Sequence, residues 1–170
     1  MVMAVNDEAA MLNGFGYHQC HQMLHYTHCT PDMTQQQTSP ETALTRNRPF
    51  YRHLDLRGDE GLPKGTSRLY LRGREEFLNS RGDIHGGIVA ALVDAAMGAA
   101  MRSAYTAGEG ATTVSLTVNY LEPAREELIA EGRVVRAGRS LASVEVSVSD
   151  KSGRAVAHAI GTLRVIKPRA

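Results

Sequence analysis

The chain has 170 residues, 42% of them hydrophobic and 22% charged, which suits one soluble globular domain with some length to spare. Nineteen Lys and Arg against eighteen Asp and Glu leave a net charge of +1, so neither a nucleic-acid-binding basic excess nor an acidic solvating tail is present. With no Trp, three Phe and six Tyr there is no composition for base stacking, and two cysteines make no disulfide framework, which fits a cytoplasmic chain.

Residues 1–48 hold five of the seven Met, both Cys and four of the seven His, with no sustained apolar period of 2 or 3.6. They read as a poorly structured extension ahead of a domain spanning 49–170. Asp7 and Glu8 stand where a signal peptide needs an apolar core, so secretion is unsupported. His18, His21, His25 and His28 would share one helical face, and with Cys20 or Cys29 could take up zinc or nickel. The spacing matches no standard finger, and the expectation is no dedicated metal site.

From Pro49 the pattern sharpens. Thr66 to Arg74 alternates Arg68, Tyr70 and Arg72 with Leu69, Leu71 and Gly73, a strand signal. Residues 79–83 are a loop by composition. Gly86 to about Tyr105 is rich in Ala, Leu, Met and Val without Pro, and predicts one long, largely buried helix ended by Gly108-Glu109-Gly110. The longest apolar stretch, Ile84 to Met101, contains His85 and Asp94, which argues against a membrane span. Four strands follow. Thr112–Leu121 places Val114, Leu116, Val118 and Tyr120 on one face, and Glu127–Arg136 turns at 137–139 into Leu141–Ser149. After a turn at 150–153 comes Arg154–Ile166. This order predicts an α+β fold in which an antiparallel sheet curls around the single helix.

The chemistry concentrates around the start of that helix. His85-Gly86-Gly87 puts glycines where unpaired helix N–H groups point outward with partial positive charge, a setting able to hold an oxyanion. Asp94 lies mid-helix in apolar company, where a carboxylate is costly unless partnered or used. It is eight residues beyond Gly86, about 12 Å along the axis at about 1.5 Å per residue. That is too far to act on a carbonyl held at its own helix terminus. If both groups serve one site, Asp94 must come from a second copy across a two-fold axis.

The run Asn79-x-x-Gly82-x-x-His85-Gly86-Gly87-x4-Leu92-x-Asp94 resembles the signature of the hotdog-fold acyl-CoA thioesterases, in their phenylacetic-acid-degradation branch. Residues 112–124 and 134–140 are similar to that family's central strand and next hairpin, and the likeness covers roughly 49–166. It implies a curved antiparallel sheet wrapped around one long α-helix, and self-association as a homodimer or as a dimer of dimers, a homotetramer. It implies acyl-CoA or aryl-acyl-CoA substrates and no cofactor or metal. Matched residue by residue, Asp94 is the catalytic carboxylate, as general base or nucleophile. Gly86 is the N–H donor to the thioester oxygen, Asn79 and His85 orient or polarise the thioester, and Thr113 helps hold the water. Gly87 falls within the substrate-binding turn. Arg136, Arg139 and Ser140 on the hairpin could meet the CoA phosphates, although a solvated hairpin tip is the plainer reading.

The blander readings are a helix-capping His85, a loop-forming Asn79 and an ordinary strand Thr113. A hydratase or dehydratase acting on acyl thioesters, and a non-catalytic acyl-CoA-binding module, are the alternatives to hydrolysis. Neither nucleic acid nor membrane is expected as a partner.

Overall fold

A computed structural model of the chain describes residues 48–105 and 110–167. The expected extension, its His and Cys residues, and Gly108 and Glu109 lie outside the described residues. In chain order the elements are α1 (Pro49–His53), β1 (Arg57–Gly58), β2 (Thr66–Arg72), a 3-10 turn (Glu75–Phe77), α2 (Gly86–Ala104), β3 (Gly110–Tyr120), β4 (Glu127–Ala137), β5 (Leu141–Asp150) and β6 (Ala155–Ile166). The strands form one six-stranded antiparallel sheet ordered β1-β2-β4-β5-β6-β3. The sheet wraps α2, which packs on every strand but the two-residue β1. This is the hotdog arrangement that the resemblance implies.

The period-2 pattern of β2 is realised as read. Ser67, Leu69 and Leu71 are buried, while Arg68 and Arg72 face solvent. On the outer face of the sheet Arg68 pairs with Glu131 at 2.6 Å and Arg133 with Glu145 at 2.5 Å. The inner face meets Leu92, Val93, Ala96, Met97, Ala100 and Met101 of α2, all buried. By length and composition α2 is apolar enough to cross a membrane, but half of it is buried inside this fold, as a core helix.

Two strand glycines let the helix approach. A Cβ built on Gly132 would stand 2.5 Å from Ser67 Oγ and 3.0 Å from the Ala96 carbonyl; one on Gly161 would stand 2.6 Å from Met97 Sδ. Glycine weakens a strand unless a neighbour needs the room, and here the helix does. Polar ties fix its height: the buried Ser67 hydroxyl donates to Ala96 O at 2.8 Å, and the Gly65 N–H donates to Ser103 Oγ at 2.9 Å. Both hydrogen bonds pair polar groups that packing takes from water, which offsets the cost of desolvating them.

The expected strand Thr112–Leu121 differs from its pattern. The β3–β6 register shifts between Thr113 and Ser115, so Val114 drops out of the alternating face and is 60% exposed. Tyr120 is 55% exposed, and only Leu116 and Val118 of the predicted apolar face pack on the core. β3 is the outermost strand, and bulges are common on such edges.

Gly132→Ala should destabilise the fold by about 1–3 kcal/mol, because the backbone carbonyl of Ala96 cannot yield as a side chain could. Thermal unfolding of the variant, with far-UV circular dichroism showing an unchanged sheet, checks this. The β5–β6 turn gives a second prediction. Asp150 accepts from the Ser152 hydroxyl at 2.6 Å, from the Ser152 and Arg154 amides, and from Arg154 Nε at 3.0 Å. These bonds, the Ser152 hydroxyl foremost, lower its pKa to about 2. The folded carboxyl is thus more acidic than the unfolded one, so its contribution is complete above about pH 4 and fades toward pH 2. Asp150→Ala should lower the melting temperature at pH 7, and the gap to wild type should close as pH falls through that window.

Candidate active site

The N-terminus of α2 is fixed from three sides before any ligand arrives. Asn79 Oδ1 accepts the amides of Arg81 at 2.8 Å and Asp83 at 3.2 Å, turning the loop at Gly82, whose φ of +77° suits glycine. Asp83 is 8% exposed and takes Arg125 Nε at 2.8 Å. The Ile84 N–H donates to Ala124 O at 2.7 Å and the His85 N–H to Phe77 O at 2.8 Å. Asp83 is not singled out by the sequence motif; the signal for it is an acid beside a turn glycine, just before an apolar helix.

His85 is the N-cap of α2. Its Nδ1 accepts the Gly87 N–H at 2.9 Å. The capping reading is therefore realised, and it fixes the tautomer: Nδ1 holds a lone pair, so the neutral ring carries its proton on Nε2. The ring is exposed, with Nε2 uncommitted among the described residues. The Gly86 N–H also meets no acceptor among the described residues, as expected of a first-turn helix donor. A cavity of about 370 Å³ opens here, lined by Asn79 and Gly86 with Val89, Tyr120, Leu121 and Val156 among its apolar walls. A mixture of polar groups and apolar walls is the usual make-up of a small-molecule site.

Asp94 lies elsewhere. It is half-buried, two turns along the same helix, and does not line that cavity. The Thr113 hydroxyl donates to its Oδ1 at 2.5 Å, so this expected pair meets within one chain. Thr113 sits at the bulge of β3, which turns its side chain toward the helix rather than along the regular alternation. Gly87, Ala90, Ala91 and Asp94 follow one another at helical spacing and retain solvent exposure, so this face of α2 is not sealed by the sheet.

Arg136, Arg139 and Ser140 are not brought to the Gly86 cavity. All three are exposed on the β4–β5 hairpin, which is tied to the other end of α2: the Tyr105 hydroxyl, at the helix C-cap, donates to Gly138 O at 2.8 Å. Within one chain the nineteen-residue helix separates them from Gly86. Among the described residues no group of three or more His, Cys, Asp or Glu could hold a metal ion.

Comparison with known proteins places this geometry in a family. The Thioesterase superfamily model matches residues 81–157, the span from the loop before α2 into β6. The chain is 39% identical to a putative esterase of Halobacterium salinarum over 119 residues, 64% of this chain and 79% of that protein. It is 28% identical to human acyl-coenzyme A thioesterase 13 over 122 residues, 71% of this chain and 86% of that one. The structure of the Escherichia coli PaaI protein from the phenylacetic acid degradation operon superposes with a TM-score of 0.68, covering 74% of this chain and 90% of that one. At 21% identity that likeness is one of fold. The chain is a member of the thioesterase superfamily.

Proposed function

We propose that the protein hydrolyses acyl-CoA thioesters to the free acid and CoA, aryl-acyl-CoA included, in a site built from two chains. The observation that carries this reading is the separation of two chemically matched parts along one helix. One part is the uncommitted Gly86 N–H with the His85 Nε2–H beside it; the other is the Thr113-bonded Asp94 carboxylate. An antiparallel second copy of α2 brings Asp94 of the partner subunit toward Gly86, and the open Gly87-Ala90-Ala91-Asp94 face has the small residues that allow such an approach. The same pairing carries the partner's hairpin, with Arg136, Arg139 and Ser140, toward the entrance of the cavity, where phosphates of CoA would meet guanidinium groups. We assign the pairing surface to this helix face and the β3 edge. The outer sheet face is disfavoured because its ion pairs would be desolvated on contact.

In this reading the thioester carbonyl oxygen lies against the Gly86 N–H, with Asn79 and His85 alongside. Asp94 of the partner subunit, steadied by its own Thr113, either takes a proton from water as that water attacks the carbonyl carbon, or attacks it directly to form a mixed anhydride that water then cleaves. The negative charge that collects on the carbonyl oxygen is stabilised by the helix-terminal donor; one such donor is worth about 10²–10³ in rate. Collapse of the intermediate breaks the C–S bond and releases the CoA thiolate, which takes up a proton.

A thiol-release screen over short, long and aryl acyl-CoAs should find at least one substrate. On the best of them Asp94→Asn should lower kcat by at least about 10² with little change in KM, because the amide keeps the shape and loses the base. The fold should persist, which a melting curve checks. Single turnover in ¹⁸O-water separates the two routes: label in Asp94 marks the anhydride. Near wild-type turnover by Asp94→Asn would falsify the mechanism and favour a binding module.

A further inference from the structure

Tyr120 closes the last strand turn over the helix terminus. Its hydroxyl donates to the Gly86 carbonyl at 2.9 Å. Its ring lies against the same residue: a Cβ on Gly86 would be 3.4 Å from two ring carbons. That is ordinary van der Waals distance, so the ring packs directly on the helix terminus. The chain at this point is anchored independently, since the Leu121 N–H donates to Val156 O at 2.9 Å and Tyr120 pairs with Ala157 in the β3–β6 ladder. The tyrosine is thus held by the sheet and reaches over to the helix.

The carbonyl it binds belongs to the Gly86–Gly87 peptide. The N–H of that same peptide unit donates to His85 Nδ1. The bonds run in one line, from the Tyr120 O–H to the Gly86 C=O, through the peptide to the Gly87 N–H, and on to Nδ1. A carbonyl that accepts a hydrogen bond makes its own amide proton a stronger donor, so the two bonds reinforce each other. Two adjacent glycines leave this peptide without side chains to hold its plane. This is the first peptide of α2, with helical backbone on one side only, and the Tyr120 bond adds an anchor from outside the helix.

We propose that Tyr120 is a positioning residue of the site: it sets the plane of the Gly86–Gly87 peptide and, through it, the orientation and Nε2–H tautomer of His85. The inference rests on the hydrolase reading for its consequence in catalysis, but not for the bonding itself. Tyr120 acts on the reacting groups through His85 and the helix terminus. Its hydroxyl hydrogen is already given to Gly86 O, so it is not counted as a donor to the thioester.

The test has two arms. In the first, wild-type protein with ¹⁵N-labelled histidine should show His85 as the Nε2–H tautomer, with a hydrogen-bond coupling between the Gly87 amide and Nδ1. Tyr120→Phe, which keeps the ring, should weaken that coupling and move the Gly87 amide proton upfield without changing the melting temperature much. In the second arm, Tyr120→Phe should lower kcat for the best acyl-CoA by about fivefold, the factor that accompanies one neutral hydrogen bond, with KM within about twofold. Combined with His85→Ala, the same substitution should cost almost nothing further, since both act along one line. No coupling in the wild type, or Gly87 and His85 signals untouched by Tyr120→Phe, overturns the proposal whatever the enzyme does. An unchanged kcat, or losses that simply multiply with those of His85→Ala, likewise reduces Tyr120 to a packing contact. If the wild type releases thiol from no acyl-CoA, the hydrolase reading fails and the spectroscopic arm still decides the positioning role.

Discussion

An α-helix is a rigid ruler, and α2 sets the scale of this protein. Nothing within Gly86–Ala104 interrupts it: there is no proline, and its one internal glycine, Gly98, is buried. Two turns therefore separate the donor at its N-terminus from the carboxylate at Asp94, and side-chain rotation cannot recover about 12 Å. A carbonyl bound at Gly86 and a base at Asp94 are useful to each other only if a second helix supplies one of them. The proposed homodimer rests on helix geometry and the identity of two residues, before any property of the surface is considered.

The rest of the fold serves to hold that helix at a fixed height and in a fixed rotation. Gly132 and Gly161 lower it onto the sheet, and the Ser67 and Ser103 hydroxyls pin its middle and its last turn to β2 and the loop before it. Its start is tied to the β3–β4 loop, the 3-10 turn and the end of β3 through Ile84–Ala124, His85–Phe77 and Tyr120–Gly86. Apolar burial supplies most of the stability, but burial alone tolerates sliding. The directional bonds are what specify where the Gly86 N–H points. A donor that must meet an oxyanion without reorganising needs that kind of fixation.

Much of this was legible from local pattern. The apolar run after His85-Gly86-Gly87 reads as a buried helix, and the alternation in β2 and β5 with the turn-bounded runs of β4 and β6 marks these strands within a residue or two. The spacing from Asn79 to Asp94 carried the family. Short elements escaped because five residues of α1, two of β1 and a single 3-10 turn are too brief to show a period. The bulge at Val114 escaped because the sequence there alternates faultlessly; only pairing with β6 at an edge reveals the slip. Local pattern does not tell which end of the helix a hairpin flanks; within one chain the Tyr105–Gly138 bond puts Arg136, Arg139 and Ser140 at the end away from Gly86. The sequence leaves open whether His85 caps the helix; its hydrogen bond from Gly87 makes it a cap and leaves Nε2 uncommitted among the described residues.

The central claim is that each site takes its donor from one chain and its carboxylate from another, and subunit mixing tests it most directly. Gly86→Pro deletes the donor N–H at a first helical position, where proline is accepted, and His85 already has the extended ψ of 136° that a following proline prefers. Asp94→Asn removes the carboxylate. Each variant alone should be nearly inactive. Unfolded together and refolded at equal amounts, half of the dimers should be mixed, each with one intact site, so the mixture should recover about a quarter of wild-type activity. Activity that never rises above the sum of the two parents would contradict the shared site.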